Sequence, residues 1–250
     1  MPDASFDDDY LASLYDLIER HGGPDETFYL ELARSARSVL DVGCGTGAML
    51  HQLRDSGHEG RLVGLDPAAG MLAQARRRDD VEWRLGYLPA AGFVAGFEFV
   101  YMTGHAFQVL PDDAAALELL AAVRRALVPG GRFAFETRNP VVRPWERWTS
   151  DDVVEVRDAR GRAVRVRHDL EQVRHEDGGA AHVTFTETFA VTGRPEPLVS
   201  RSTLRFLPAA GLDQLLAVAG FDVDERYGDW DRGPFTADSP EIVTVASTRR

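Results

Sequence analysis

The chain has 250 residues, enough for one large domain or one domain carrying a sizeable insertion, with 44% hydrophobic and 27% charged residues as in ordinary globular proteins. A net charge of −12, with all 28 basic residues arginine, excludes the broad basic face that neutralises phosphates, so no nucleic-acid partner is expected. No apolar run reaches about 18 residues, Met1–Asp9 lacks the basic-then-apolar pattern of a secretion signal, and Cys44 is a lone cysteine. No membrane span, internal disulfide or metal site is therefore expected, and a reducing cytoplasm is the expected location.

Leu11, Leu14, Tyr15 and Ile18 recur at helical spacing within Asp7–Arg20, and His21-Gly22-Gly23-Pro24 stops that helix before a second at Asp25–Arg34. Ser38–Val42 is a short buried strand. Strands follow at Arg61–Leu65, Val81–Leu85, Phe97–Met102 and Arg132–Thr137. Helices are predicted at Thr46–Asp55, Pro67–Arg78 and Asp112–Leu127, the last stopped by Pro129-Gly130-Gly131. This alternation implies a doubly wound, mostly parallel α/β sheet covered on both faces. From Asp151 to Leu207 the period changes to two. Val164, Val166, His168 and Leu170 share one face of a strand, as do Phe185, Glu187, Phe189 and Val191 of another, with turns at Gly178-Gly179 and Gly193. An antiparallel β insertion is expected there, followed by a helix at Pro208–Ala219 and strands at Phe221–Arg226 and Glu241–Ser247 that return to the main sheet.

The chemistry concentrates in Val39-Leu40-Asp41-Val42-Gly43-Cys44-Gly45-Thr46-Gly47, where three alternate glycines between strand and helix let a ligand approach the backbone. Gly43, Gly45 and Ala48 also satisfy the dinucleotide fingerprint, and Asp66 closes the next strand about 20 residues on, suited to ribose hydroxyls under either reading. Asp41 separates the two. A carboxylate beside a pyrophosphate would cost about a kcal/mol or more in a partly dry site. It suits instead a cationic, phosphate-free ligand such as S-adenosylmethionine. Cys44 is read as a small buried filler rather than a nucleophile.

Val39–Gly47 resembles motif I of the class I S-adenosylmethionine-dependent methyltransferases. Val63-Gly64-Leu65-Asp66 with Met71-Leu72-Ala73-Gln74-Ala75 is similar to their second strand and helix, and Leu127-Val128-Pro129-Gly130-Gly131-Arg132-Phe133 to the turn before their fifth strand. The resemblance covers Leu30–Asn139 and, more loosely, the C-terminal strand pair. It implies a seven-stranded Rossmann-like sheet with the β insertion between strands five and six, and S-adenosylmethionine as cofactor, leaving S-adenosylhomocysteine. By the same resemblance Asp41, Gly43, Gly45 and Gly47 line the methionine end, Asp66 binds the ribose and Met71 packs by the adenine, or alternatively in the core. Thr103 joins the cofactor set. The chain departs from the family where Tyr87 follows Gly86 in place of an acid, so backbone groups at Tyr87 and Leu88 are expected to meet the adenine.

Ligands on such sheets sit beyond the carboxyl ends of the strands. Past strand four lie His105 and Phe107; past strand five lie Arg138, Asn139, Trp145 and Trp148, with Tyr15 reaching in from the first helix. These are the candidate substrate residues. His105 is the candidate general base, with a backbone or cofactor hydrogen bond as its alternative duty. Trp145 and Trp148 serve equally well to pack the insertion on the core. The expected layout is cap helices at 1–36, an α/β core at 37–140 and 208–250, and a β-rich lid at 141–207, whose edge strands also offer an oligomer contact. The expected activity is methyl transfer to nitrogen or oxygen of a small molecule. The alternatives are a nicotinamide-dependent oxidoreductase using the same loop and a non-catalytic binder of the cofactor.

Overall fold

A computed structural model describes residues 6, 8–19, 22–149, 151 and 153–249. Residues Met1–Ser5, the outer ends of the first helix at Asp7 and Arg20, and the stop at His21 lie outside the described residues. Two helices open the fold, α1 (Asp9–Ile18) and α2 (Pro24–Ala33). The Asp8 side chain caps α1 by accepting from the N–H groups of Tyr10 and Leu11, and Pro24 starts α2 where a missing N–H costs nothing. The α/β run then comprises β1 (Ser38–Val42), α3 (Ala48–Asp55), β2 (Arg61–Asp66), α4 (Ala69–Ala75), β3 (Glu82–Leu85), β4 (Phe97–Met102), α5 (Asp113–Ala126) and β5 (Leu127–Arg138). Four strands follow: β6 (Val153–Arg157), β7 (Ala163–His175), β8 (Ala181–Val191) and β9 (Leu198–Phe206). The chain closes with α6 (Ala209–Ala219), β10 (Phe221–Tyr227) and β11 (Glu241–Thr248).

The main sheet has seven strands in the order β10-β11-β5-β4-β1-β2-β3. Strands β1 to β5 run parallel, and the β10–β11 hairpin joins β5 antiparallel. The strand order reverses at β1, which puts the ligand crevice beyond Val42 and Met102. One sheet face packs Leu40, Val63, Val100, Phe133 and Phe135 against α5 and α6; the other packs Val39, Leu62, Phe99 and Tyr101 against α2 and α3. The insertion forms a separate antiparallel meander, β6-β7-β8-β9. One element differs from the sequence reading. The Pro129-Gly130-Gly131 stop lies inside β5, because Leu127 already pairs with Phe97 before a register shift carries pairing on to Phe99 and Arg132. Gly130, with φ +77°, supplies the left-handed residue in this irregular stretch.

Candidate active site

The glycine loop leaves β1 at Gly43 and folds back on β2. The Gly43 and Cys44 N–H groups both donate to the Leu65 carbonyl, at 2.8 and 3.2 Å. Gly43, Gly45 and Gly47 have φ of +80°, +54° and +78°, a region closed to most side chains. Their reasons differ. A Cβ on Gly45 would meet nothing within 4 Å, so this glycine faces open space at the sheet's carboxyl end. A Cβ on Gly47 would run into the Trp83 ring, so that position is fixed by packing of the loop on β3.

Two buried carboxylates lie beside the loop, and one of them holds it. Asp66 accepts from the Gly45 N–H and the Ala68 N–H, both at 2.8 Å, while burial raises its pKa against those bonds. A carboxylate with two donors still has accepting capacity for hydroxyls. Asp41 is 2% exposed and its Oδ1 has no hydrogen-bond partner among the described residues. Burial, with Asp66 and Glu136 nearby, pushes its pKa up to about 8, although the neighbouring Tyr101 hydroxyl works the other way. A buried carboxylate with one oxygen unpartnered, beside an open glycine, fits a ligand that carries positive charge and approaches the backbone closely, as S-adenosylmethionine does. From above, Thr46 Oγ1 donates to Asp16 of α1 at 2.6 Å, tying the cap to the loop.

Beyond β4, His105 sits in the left-handed region with φ +59°. That turn aims its backbone N–H at Glu136 Oε1, 2.7 Å away, while the Tyr29 hydroxyl donates to the other carboxylate oxygen. Glu136 is 2% exposed, and burial raises its pKa despite these partners. The imidazole Nε2 of His105 lies 3.0 Å from Glu241 Oε2 on β11. Arg138 donates from its backbone N and its guanidinium to Gln108 Oε1, at 3.3 and 3.2 Å, and lies 5.5 Å from the centre of the Trp148 ring. Trp148 in turn meets Phe185 of β8 at 5.1 Å. Tyr15 of α1 packs beside Met71, and its hydroxyl comes within 3.9 Å of where a Cβ on Gly104 would stand. Burial first, then the carboxylates of Glu19, Asp16, Glu187 and Asp66, raise its phenol.

Tyr15, His105, Arg138 and Trp148 are therefore gathered at one end of the sheet. Three other expected residues carry structural duties. Phe107 is buried and stacked on Phe135 at 4.6 Å. Trp145 is buried against Phe206 at 4.8 Å, inside the packing of the insertion. Asn139 donates to the carbonyls of Ala237 and Ser239 at 2.9 and 2.8 Å and accepts from the Val141 N–H, so its amide clamps the loop before β11. On the cofactor side, Met71 packs with Ala12 and Ala68, the Leu88 side chain belongs to the core, and Tyr87 is exposed. Thr103 is half-buried and its carbonyl accepts from the Ala106 N–H. Glu136, Gln108 and Glu241 were not singled out in the sequence. Glu136 had left a trace, an acid ending the apolar run Phe133-Ala134-Phe135.

A parallel sheet ending in a reversed hairpin, with an acid-bearing glycine loop at its switch point, fits a cationic, phosphate-free cofactor such as S-adenosylmethionine better than a pyrophosphate. Residues 39–131 match the family model described as methyltransferase domain, so the chain carries a methyltransferase domain. It is 26% identical to the cypemycin N-terminal methyltransferase of a Streptomyces species, over 98% of each chain. Its fold is similar to the CcbJ methyltransferase of Streptomyces caelestis, at a TM-score of 0.73 and 22% identity over 97% of each chain. It is also similar to the S-adenosylmethionine-bound amino pentose methyltransferase CalS10 of Micromonospora echinaspora, at a TM-score of 0.64 and 24% identity over 92% of this chain and 93% of that one.

Proposed function

We propose that this protein methylates an amine nitrogen of a small-molecule acceptor held between the end of the main sheet, α1 and the inserted sheet. The observation that carries this reading is the charge of the space. Glu241 faces His105 there; Asp41, Asp66 and Glu136 are carboxyls that burial biases toward the neutral form until a cation meets them, and Arg138 is set among them. Such a setting attracts an ammonium group and disfavours an anionic acceptor. The cypemycin relative is named for an N-terminal methyl transfer and the CalS10 neighbour for an amino pentose, and both names fit an amine.

Bound S-adenosylmethionine supplies a methyl group already activated as a sulfonium, so the protein's tasks are placement and proton removal. In this reading Asp41 meets the cationic end of the cofactor, the open face of Gly45 lets it approach, and Asp66 accepts from ribose hydroxyls. Gly43 and Gly47 shape the loop, and Met71, Thr103 and the backbone at Tyr87 and Leu88 border the adenosine. Tyr15 and Trp148 wall the acceptor. His105 takes the proton that an ammonium must lose before its lone pair can attack, and Glu241, 3.0 Å away, stabilises the imidazolium that results. Gln108 and Trp148 hold Arg138 in place at the side of the space.

The test is methyl transfer by purified protein to a panel of amino sugars, peptides with free amino termini and aliphatic diamines. Each is paired with its N-acetylated form, and phenols are added as hydroxyl acceptors. Methylation of free amines only, read by mass, supports the reading. Methylated phenols with untouched amines would overturn it.

A further inference from the structure

The inner face of the inserted sheet is apolar at both ends and polar in the middle. At one end Ala181, Val183 and Phe206 pack with Trp145; at the other Val164, Val166, Phe189 and Val191 pack against Leu11 and Leu14 of α1. Strand periodicity puts residues 181, 183, 185, 187, 189 and 191 of β8 on that one face. Between the two apolar ends, the register aligns His168 of β7, Glu187 of β8 and Ser200 of β9 in a single cross-strand row, with Leu170, Phe185 and Ser202 in the next. Glu187 thus interrupts an otherwise apolar series.

This window faces the candidate acceptor space. The Glu187 carboxylate acts on the Tyr15 phenol, Phe185 touches Trp148, and Trp148 underlies Arg138. Glu187 Oε1 lies 2.9 Å from His168 Nε2, and the side chains are 21% and 31% exposed. Among the described residues, packing gives no reason for an acid there. A leucine or valine would continue the apolar face, and a half-buried ion pair adds little stability over such a replacement.

We infer that Glu187, steadied by His168, is the residue by which the inserted sheet recognises the acceptor's ammonium group. The inference rests on the amine reading of the site and adds a specificity-determining residue to it. The main sheet takes the proton through His105, while the inserted sheet selects the cation through Glu187. Ser200 and Ser202 lie beside that carboxylate on β9, where they border the same polar window.

The experiment compares the unmodified protein with Glu187→Gln, Glu187→Asp and Glu187→Leu on whichever amine of the panel it methylates best. Val199→Gln, on the exposed face of β9, serves as the control for altering the insertion at all. The expected result for Glu187→Gln is a rise in KM for the amine of about tenfold or more, with kcat within about threefold and S-adenosylhomocysteine affinity unchanged. Glu187→Asp should recover part of the KM, and Glu187→Leu should remain folded while losing the amine. An unchanged KM in Glu187→Gln overturns the inference and leaves the amine reading standing. Equal losses in kcat, cofactor affinity and melting temperature also overturn it, because they mark a structural residue. If the unmodified protein binds S-adenosylhomocysteine yet methylates no free amine, the amine reading itself fails and this inference with it.

Discussion

Asp41 is neutral in much of the folded population near pH 7, because its burial pushes the carboxyl up to about 8. In the unfolded chain it ionises near pH 4. A carboxyl raised in this way contributes stability that is full below about pH 4 and is lost as pH rises through about 8. Asp41→Asn should therefore flatten the decline of stability between pH 5 and 8 in denaturant melts. The same substitution should weaken S-adenosylmethionine binding about tenfold or more, since a charge-assisted bond to the cofactor cation disappears. In the unmodified protein, cofactor affinity should rise from pH 6 to pH 8 and binding should release a proton. Titration calorimetry in buffers of different ionisation enthalpy measures both. Affinity independent of pH would remove Asp41 from the cofactor site. His105 calls for a different readout: His105→Ala should lower kcat about a hundredfold with cofactor affinity retained, the usual scale of general base catalysis.

At the level of elements, the loop between β1 and α3 and the segment after β5 each combine a packing duty with a chemical one. Gly47→Ala would push a methyl into Trp83 at a position with φ +78°. Overpacking and the left-handed backbone together predict a loss of about 2–4 kcal/mol in stability. Asn139→Ala should cost about 2–3 kcal/mol, because it strips partners from two carbonyls and the Val141 N–H in a buried place. If Asn139 serves folding alone, its variant should keep the KM for the acceptor. The sequence placed both segments correctly and could not apportion these duties. Three glycines in a row of alternate positions look alike on paper, whereas Gly45 faces open space and Gly47 backs onto an indole. Asn139 beyond a strand end looked like a substrate contact; only the return of β11, about a hundred residues later, brings the carbonyls it bonds.

For the whole molecule, the described residues form two sheets joined through α1 and the Trp145 packing, with the candidate site between them. Trp145→Ala should remove about 3–5 kcal/mol of packing from the inserted sheet. The seven-stranded sheet and its loop do not depend on that contact, so S-adenosylhomocysteine binding should survive. Limited proteolysis should then cut first within residues 150–207 rather than in the core.

The class of fold, the succession of strands and helices along the chain, the glycine loop with its two acids and the change of period at the insertion were all legible in the sequence. They depend on local spacing, on glycine's backbone freedom and on the two- and four-residue repeats of strand and helix. The partners of His105, the orphaned oxygen of Asp41 and the alignment of Glu187 with His168 were decided by the tertiary structure alone. They join residues as far apart as Tyr29 and Glu136, or His105 and Glu241. Such contacts depend on strand order and register, which no local pattern encodes.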